Sequence, residues 1–464
     1  MLSFIDTTRG CNRRDFLRVG SLALGGLMLP HLLAARQARA EGQKGLTTGK
    51  SVIFLFQHGG PSQIETFDPK MDAPEGIRSA TGATPTSIPG VTFGGTMTQL
   101  ARHAHRLAIV RSFQSESGNH NIRPIVGPES LNANLGSLYA RVVGTNRPGT
   151  GMPTNAAIFP NAVDPQGPGA SDRFGKFAAT GGLGVSYAPF IPGAGGLLQE
   201  NMQLRLPRER LEDRRSLLAE LDRVKRQLDA DGSMQALDEF HSQAFDVITG
   251  GIADAFDLSK EDPNTLRRYD TSFLVRAKQW EYKNNKNNYT ANAGSLGKLL
   301  LLARRLCEAG CGFVTINTAF VWDMHADKNN LGVVEGMDFV GNPYDHAVSA
   351  FIEDVEARGL SDQILLVTTG EMGRTPKINK NGGRDHWGKL TPLLLYGGGV
   401  TDGQIIGQSS RDGGEPASTP MTNKNLIATI MNTLFDVGEL RVARGIPADL
   451  MRVITEHPPI TGLG

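Results

Sequence analysis

Five short runs of branched apolar residues, separated by segments with helical periodicity, limit the folds that are open to this 464-residue chain. The runs are predicted to be buried strands at 51–57, 107–111, 313–317, 364–369 and 392–396. Helices are predicted at 97–105, 135–143, 296–307 and 346–358. Strands that alternate with helices predict a doubly wound α/β fold, in which a mainly parallel sheet carries helices on both faces.

The composition is that of a packed globular protein with many shaped loops. Glycine accounts for 56 residues, which is about 12 % of the chain against roughly 7 % in ordinary proteins and predicts many tight turns. The formal net charge is +1, so no basic field recruits nucleic acid, and we expect no nucleic-acid partner. Three cysteines in the whole chain exclude a disulfide scaffold.

Residues 1–40 are predicted to be a twin-arginine signal peptide and not part of the fold. Arg13 and Arg14 precede an apolar stretch, and Ala38 and Ala40 form an A-x-A cleavage site. At about 15 residues the stretch is too short to span a bilayer comfortably, although an uncleaved anchor is the alternative. No second apolar run of about 18 residues follows, so we expect no stable membrane insertion after cleavage. These features predict export by the bacterial twin-arginine machinery to the periplasm or the medium.

The remaining residues, 41–464, are predicted to form a single domain with a helical insertion at about 200–290. Within the insertion, residues 205–229 have the pattern of a charged amphipathic helix, and the asparagine-rich segment 283–292 is predicted to be a loop. Cys307 and Cys311 fit the apolar pattern at a helix end, and we interpret them as buried small hydrophobes. A disulfide between them is the alternative that an exported compartment permits.

Polar, glycine-bearing segments follow four of the predicted strands and precede the fifth. They lie at 58–69, 112–120, 322–327, 370–376 and 383–387. In open α/β sheets, ligands bind beyond the carboxyl ends of the strands, so these segments are the first place to look for a site.

Carboxylates and imidazoles from three of these segments have the chemistry of a metal site. Divalent ions such as zinc and manganese prefer these ligands. The predicted metal residues are Asp323, His325, Glu371, Asp385 and His386. Taken alone, an Asp-x-His sequence also suits a helix cap or a turn, and Arg384 next to Asp385 also suits a local ion pair.

Further candidates stand at the same strand ends. His58 and His120 belong to the strand-end histidines, and the alternative for His120 is that it only orders its loop. Arg374 and Arg384 have planar forks that can clamp an anionic substrate. The alternative for both arginines is that they satisfy backbone carbonyl groups.

These motifs together resemble the exported family called domain of unknown function 1501. Besides the leader, the resemblance rests on Gly59-Gly60-Pro61-Ser62, Thr66-Phe67-Asp68-Pro69, Trp322-Asp323-Met324-His325, Gly370-Glu371-Met372-Gly373-Arg374-Thr375-Pro376 and Gly383-Arg384-Asp385-His386-Trp387. That family is similar to a branch of the alkaline phosphatase and sulfatase superfamily, whose members bind one or two divalent metals over a doubly wound sheet. The resemblance therefore implies an alkaline phosphatase-like domain and one or two ions of zinc, manganese or calcium.

The resemblance also implies roles for single residues. Asp323 and His325 match one metal-ligand segment, Glu371 stands where the superfamily has an Asp-His pair, and His386 matches its late histidine ligand. The segment 112–120 matches the nucleophile region, in which Ser117 is the candidate nucleophile beside Ser115.

The sequence departs from the superfamily pattern in two places. The first strand ends in Gln57-His58 where the superfamily usually has a metal-binding aspartate. No run of the form C/S-x-P-x-R occurs, which disfavours a formylglycine-dependent sulfatase.

The expected function is that of an exported, metal-dependent hydrolase of phosphate or sulfate esters, with a small-molecule or carbohydrate ester as substrate. His120 is expected to act as acid/base or as an extra ligand, and Arg374 to hold the substrate anion. A non-catalytic binding or assembly protein that keeps the fold is the alternative, because the first-strand aspartate is missing and no serine is marked as activated. A metal-dependent isomerase or transferase of the same superfamily also stays open.

Overall fold

The computed structural model describes residues 45–193, 252–276 and 280–463, and the described residues from Leu46 onward form one compact unit. The predicted signal peptide at 1–40 and the predicted charged helix at 205–229 lie outside the described residues. The described part of the predicted insertion contains the short helices Ala253–Phe256 and Pro263–Tyr269. Within the described ranges, no helix is both long enough and apolar enough to cross a membrane.

A seven-stranded sheet forms the centre of the described structure. Its strands are β1 Ser51–Phe56, β2 Leu107–Val110, β3 Asn155–Ile158, β4 Phe313–Asn317, β5 Ile364–Thr369, β6 Leu393–Gly397 and β7 Gln404–Ile406. They lie side by side in the order β7-β2-β6-β5-β1-β4-β3. Neighbouring strands are parallel except that β6 runs antiparallel to both β5 and β2. The predicted mainly parallel α/β sheet is confirmed.

The reversed direction of β6 decides which segments meet. Because β1, β2, β4 and β5 point the same way, the segments that follow them leave from one edge of the sheet. β6 points the opposite way, so it begins at that edge, and the segment 383–387 approaches it there. All five polar segments are therefore brought to the same edge.

Helices cover both faces of the sheet, as predicted. On one face Ile53 and Leu55 of β1 pack in a core with the helices Thr98–Arg102, Lys286–Glu308 and Asn342–Ala357. On the other face Val52 and Phe54 pack in a core with the helices Leu135–Val143, Asn423–Leu434, Val437–Val442 and Ala448–Thr455. Alternate residues of one strand thus enter two separate cores, which explains its unbroken apolar sequence.

Smaller elements complete the described fold. The other α-helices are Gln63–Thr66 and Val333–Gly336, and a π-helix spans Met337–Gly341. Single 3₁₀ turns lie at Ala104–Arg106, Pro128–Ser130, Pro160–Ala162, Val185–Tyr187, Leu258–Lys260 and Ser272–Leu274. Short strand pairs join Ala83–Pro85 to Thr92–Gly94, Phe113–Gln114 to Met421–Thr422, and Gly373–Arg374 to His386–Trp387.

The predicted loop at 283–292 is wrong, because the helix Lys286–Glu308 already begins inside it. Asparagine favours loops by offering its side chain to the local backbone. Here Asn285 instead donates to the Phe320 carbonyl at 2.8 Å, and Asn288 donates to Asn285. Tyr289 is fully buried in the core, so tertiary packing outweighs local preference.

Cys307 and Cys311 are both buried, and both are free thiols. Burial raises the pKa of the Cys307 thiol well above its ordinary value and that of Cys311 to about 12. The interpretation of the two residues as buried small hydrophobes is confirmed.

Candidate metal centre

Four potential metal ligands converge at the edge where the five polar segments meet. Each offers one ligand atom, and these atoms all lie within 4.8 Å of one another; the residues are His120, Asp323, His325 and His386. They come from the segment after β2, the segment after β4 and the segment before β6. The structure thus brings together three of the predicted metal residues and adds His120 to them.

One carboxylate oxygen lies at the middle of this cluster. The distances from Asp323 Oδ1 are 3.0 Å to His325 Nε2 and 3.5 Å to the Nε2 atoms of both His120 and His386. Two ligands bound to one tetrahedral ion at about 2.0–2.1 Å would lie about 3.3 Å apart, which agrees with these three distances. The spacing around Asp323 therefore suits a small divalent ion.

The other ring nitrogen of each histidine faces an oxygen atom. The Nδ1-to-oxygen contacts are His120 to Glu371 at 2.8 Å, His325 to Asp385 at 3.1 Å, and His386 to the Gly118 carbonyl at 3.0 Å. Carboxylate and carbonyl oxygens only accept, so the proton of each neutral ring is assigned to Nδ1 and the Nε2 lone pair faces the cluster. Histidines that bind metals are held in this way.

The cluster therefore gathers acceptor atoms, and the Arg374 guanidinium reaches only two of its members, Asp323 and His325, among the hydrogen bonds of the described residues. The Nε2 atom of His386 is buried and has no hydrogen-bond partner in the described part of the chain. Three lone pairs that face one carboxylate repel one another unless protons or a cation lie between them. The donor set fits a divalent ion, which would supply that charge.

The pKa shifts of Asp323, His325 and His120 also show that the cluster favours positive charge. Burial by itself would raise the pKa of Asp323, but the three imidazoles and Arg374 hold it well below its usual range. The hydrogen bond to Asp323 raises the pKa of His325 despite burial. Burial would lower the pKa of His120, but hydrogen bonds to Asp323 and Glu371 outweigh it and raise the pKa. The raised pKa values of the two histidines thus favour a bound proton, a positive charge, at the place where an ion would bind.

Glu371 and Asp385, which were predicted as metal residues, lie behind the histidines and not in the cluster. Glu371 is fully buried, and its carboxylate also accepts the Gly59 amide at 2.9 Å and 3.2 Å. Asp385 is 58 % exposed at its side chain and contacts His325 from the solvent side. Both carboxylates are one hydrogen bond away from the atoms that face the cluster, so they orient ligands.

A glycine turn after β1 makes this packing possible. Gly59 has φ +114°, a region that favours glycine, and a Cβ at this position would lie 2.6 Å from the Asp323 amide nitrogen. Any larger residue would push the Asp323 segment away from β1. The Gly59-Gly60 motif therefore reflects the close approach of two strand ends.

Arg374 holds the cluster from inside the protein. Its buried guanidinium donates to Asp323 Oδ1 at 2.6 Å, to the carbonyls of Gly60 at 2.8 Å and Arg384 at 3.1 Å, and also to the Gly59 carbonyl. Its remaining N–H group, on Nη1, faces His325 Nε2, and the two nitrogens are 3.3 Å apart. Because every donor of Arg374 is engaged, no N–H group is free to hold a substrate anion. Arg374 instead has the alternative role, which is to satisfy backbone carbonyls, and it also forms an ion pair with Asp323.

Arg384 takes part in a different buried ion pair. Its guanidinium donates to Glu65 Oε1 at 2.7 Å and 3.0 Å, and both side chains are fully buried. Glu65 also accepts from the Ser79 hydroxyl and the Ala80 amide. Arg384 therefore ties its segment to the Gln63–Thr66 helix, which corrects the expectation of an anion clamp or of an ion pair with Asp385. It also donates to the carbonyls of Ile77, Arg78, Thr375 and Pro376, so its alternative role of satisfying backbone carbonyls is confirmed.

Ser117, the candidate nucleophile, lies beside the centre without contacting it. Its hydroxyl accepts from Asn121 Nδ2 at 2.8 Å and from the Asn119 amide at 3.4 Å. Among the described residues, no hydrogen bond joins this hydroxyl to the four clustered ligands. The neighbouring residue Gly118 is the one that contributes, through its carbonyl.

His58 is buried among aromatic rings next to the centre. Its ring lies 4.9–5.9 Å, between centroids, from the rings of Phe56, Phe174, Phe177 and Phe320. Burial lowers the pKa of His58 to about 4, so the imidazole is neutral at pH 7. It lines a cavity that it shares with His120 and Asp323.

Two asparagines that sequence reasoning missed support the centre. Asn330 donates to Asp323 Oδ2 at 2.8 Å, and Asn379 donates to Asp385 Oδ1 at 3.1 Å. Their only signal in the sequence is their position in loops near the motif residues. An amide in such a loop is usually a turn former, so this signal was too weak to select them.

Comparisons with known proteins find one family and several distant structures. The family model described as "Protein of unknown function (DUF1501)" matches residues 49–444, and no curated protein sequence matches the chain. Ps i-CgsB in complex with k-i-k-neocarrahexaose is 9 % identical with a TM-score of 0.33, and 83 % of this chain and 71 % of that chain are covered. The PsFucS1 sulfatase from Pseudoalteromonas sp. is 11 % identical with a TM-score of 0.29, and the covered shares are 88 % and 72 %. The alkaline phosphatase from the Antarctic bacterium TAB5 is 12 % identical with a TM-score of 0.28, and the covered shares are 78 % and 95 %.

The family match covers the whole central sheet and all described helices except Ala448–Thr455. It runs from before β1 to beyond β7 and includes the four clustered ligands. The family that the motifs predicted is thereby confirmed: the chain belongs to the family described as Protein of unknown function (DUF1501).

Proposed function

We propose that the protein is an exported, metal-dependent hydrolase of phosphate or sulfate esters. The observation that carries the proposal is the convergence of three imidazole Nε2 atoms on one carboxylate oxygen at the ligand-binding edge of the sheet. This arrangement supports a metal site beside a cavity, and an ion held by its four protein ligands would have to take a fifth ligand to activate water, as zinc does in some catalytic sites.

The three imidazoles favour zinc over manganese and calcium. Imidazole nitrogen suits zinc, whereas manganese and calcium prefer oxygen ligands. The four clustered residues account for one ion. When bound, a divalent ion supplies Lewis acidity, which polarises an ester oxygen and makes a water molecule more acidic.

The residues of the chain would prepare this site in two ways. Asp323 stays ionised because Arg374 donates to it and the pKa of its carboxyl is held low. Glu371 keeps the proton of His120 on Nδ1, so Nε2 remains a free ligand. This geometry favours His120 as a ligand over its alternative role as acid/base. We assign the attack on the ester to a water molecule, because the Ser117 hydroxyl is held by Asn121.

The proposed location of the protein rests on the sequence of residues 1–40 and not on the fold. We propose that residues 1–40 direct export through the twin-arginine machinery, so the enzyme would meet its ester in the periplasm or the medium. The substrate is proposed to be a small-molecule or carbohydrate ester, since the cavity beside the centre has a volume of about 440 Å³.

Metal content and turnover test the proposal together. Purified protein is reconstituted with zinc, manganese or calcium, and metal content and hydrolysis of a panel of phosphate and sulfate esters are measured. We expect one bound ion per chain and metal-dependent turnover. Both should be lost in Asp323→Ala and His386→Ala and kept in the control His457→Ala. Absence of a stoichiometric ion, or full metal content in His386→Ala, would contradict the metal site.

The second candidate is a binding or assembly protein that retains the metal. Two observations favour it: Arg374 offers no donor to a substrate anion, and the Ser117 hydroxyl does not contact the cluster. Stable metal binding without turnover on a broad ester panel would support this candidate over the enzyme.

A further inference from the structure

A cavity of about 440 Å³ opens directly beside the metal centre. Its lining includes His58, His120 and Asp323, so it begins at the proposed site of chemistry. Small-molecule sites usually measure roughly 300–1,000 Å³, so this cavity can enclose a group of small-molecule size. Whatever occupies it would be the part of the substrate next to the reacting ester.

One wall of the cavity is aromatic. Phe174 and Phe320 stack with their ring centroids 4.4 Å apart and their planes inclined by 18°. The same two rings contact His58 at 5.3 Å and 4.9 Å and His120 at 5.4 Å and 4.7 Å. A ligand that packs against these rings therefore lies next to the metal centre.

Much of the remaining lining is made of amides. Six asparagines share this lining: Asn284, Asn285, Asn288, Asn317, Asn329 and Asn330. Some of their donors and acceptors form hydrogen bonds with one another: Asn284 donates to Asn329, and Asn288 donates to Asn285. Each amide has two donors and one acceptor oxygen, so donors and acceptors remain for a ligand. Charge is nearly balanced, since Arg173 stands against Asp323 and Asp327 among the described lining residues.

His58 supplies a second, independent sign of a ligand. Only 5 % of the residue is exposed, and its Nε2 atom is buried without a hydrogen-bond partner in the described structure. Burial keeps the imidazole neutral, because it lowers the pKa to about 4. A buried polar atom without a partner costs about 1–3 kcal/mol, and a ligand hydroxyl would remove that cost.

We infer that this cavity binds a neutral, cyclic polyhydroxylated group, a sugar or a cyclitol, as the alcohol part of the ester; the inference rests on the proposed function for the ester itself. The C–H face of such a ring would pack on Phe174 or Phe320, on the face that the stacked partner ring leaves free. Its hydroxyls would pair with the asparagine amides and with His58 Nε2. A purely apolar group would leave those amides buried and unpaired. With Asp323 assigned to the metal, Arg173 and Asp327 leave the lining without a net charge that would favour a charged ring.

Direct binding of unesterified rings tests the inference. The full metal-loaded protein is titrated, with saturation-transfer NMR as the readout, against glucose, galactose, N-acetylglucosamine and myo-inositol, with benzyl alcohol as the apolar probe. We expect at least one polyhydroxylated probe to bind better than benzyl alcohol. Its affinity should fall at least tenfold in Phe174→Ala and in Asn288→Ala, which change the aromatic and the amide parts of the lining. The matched control Phe273→Ala removes a phenylalanine that is 65 % exposed and should change nothing.

Three results would overturn the inference: no polyhydroxylated probe binds, benzyl alcohol binds better than all four, or both cavity variants bind as the unchanged protein does. Phe174 is only half-buried, and circular dichroism of both variants checks their folding. His386→Ala separates the two proposals, because it should lose the metal and keep ring binding. A chain that binds rings but no metal would overturn only the proposed hydrolase, and one that binds metal but no ring would overturn only the ring site.

Discussion

At the residue scale, the centre depends on which nitrogen of each histidine carries its proton. A different oxygen orients each ring: a buried carboxylate for His120, an exposed carboxylate for His325 and a backbone carbonyl for His386. The buried carboxylate of Glu371 acts in the least polar surroundings, so its charge is the least screened by water. Its removal should therefore have the largest effect.

Glu371→Gln should lower metal affinity about 10–100-fold, as changes behind metal-binding histidines usually do. The amide has the same shape but lacks the charge that holds the His120 proton on Nδ1. Competition titration against a chelator measures the affinity. The control is Glu353→Gln, because Glu353 pairs with His103 on the surface at 3.4 Å. Equal affinity in Glu371→Gln and the unchanged protein would remove Glu371 from the site.

His58 should make the folded protein sensitive to acid. Its pKa is lowered by burial from 6.5 to about 4, so between these values the unfolded chain binds a proton that the folded chain does not. Stability is then complete above pH 6.5 and falls as pH drops towards 4, by on the order of 3 kcal/mol.

Urea unfolding between pH 7 and pH 4.5, in the presence of a chelator, measures this loss. In His58→Phe the free energy of unfolding should fall less over the same range, because the titrating group is gone. His457→Phe controls for the loss of one histidine elsewhere. The idea fails if His58→Phe and the unchanged protein lose stability in parallel.

At the element scale, five strand ends must approach one another closely. The antiparallel direction of β6 brings 383–387 to the edge from which the other segments leave. The turn after β1 then has to fit against the segment after β4, and only a residue without a Cβ leaves room there. The geometry of the centre is therefore a property of these turns as much as of the ligands.

Gly59→Ala should destabilise the fold by at least about 2 kcal/mol, because the backbone is left-handed there and the added Cβ meets main-chain atoms of the Asp323 segment. Metal affinity should fall as well, because Asp323 moves. Denaturant unfolding and metal titration give the two values. Gly76→Ala is the matched control, since a Cβ at Gly76 meets no atom within 4 Å. An unchanged affinity in a folded Gly59→Ala protein would show that the turn does not position Asp323.

At the scale of the whole molecule, the centre connects distant parts of the chain. The hydrogen bond from His386 to the Gly118 carbonyl joins residues 268 positions apart, and Asp323 lies between them in sequence. An ion bound only by the folded chain stabilises it, by about 2.7 kcal/mol when its concentration is about 100 times Kd.

Zinc or manganese should therefore raise the Tm of the purified protein by at least a few degrees, and a chelator should reverse the rise. Thermal unfolding followed by circular dichroism measures both changes. His386→Ala should show no metal-dependent shift, because one ligand is missing. A shift of the same size in His386→Ala would place the stabilising ion elsewhere.

Much of the fold and the location of the centre could be predicted from the sequence. The strands at 313–317 and 364–369 and the helix at 135–143 have the bounds that their apolar patterns predicted. The clustering of Asp323, His325 and His386 followed from a general rule, because segments at the carboxyl ends of parallel strands share one edge. Patterns of burial and turn residues are local properties, and a sequence displays them directly.

Only the tertiary structure decided what each charged residue does. Asp323 lies in the cluster, whereas Glu371 and Asp385 orient histidines. Arg374 and Arg384 form hydrogen bonds with buried carboxylates, Asp323 and Glu65. The helix from Lys286 begins early because Asn285, the residue before it, donates to the Phe320 carbonyl and Tyr289 packs in the core. These outcomes depend on hydrogen bonds between residues tens to hundreds of positions apart. A carboxylate or a guanidinium has the same chemistry in the sequence whichever partner it meets, so its role is set only when the packed chain brings that partner into contact.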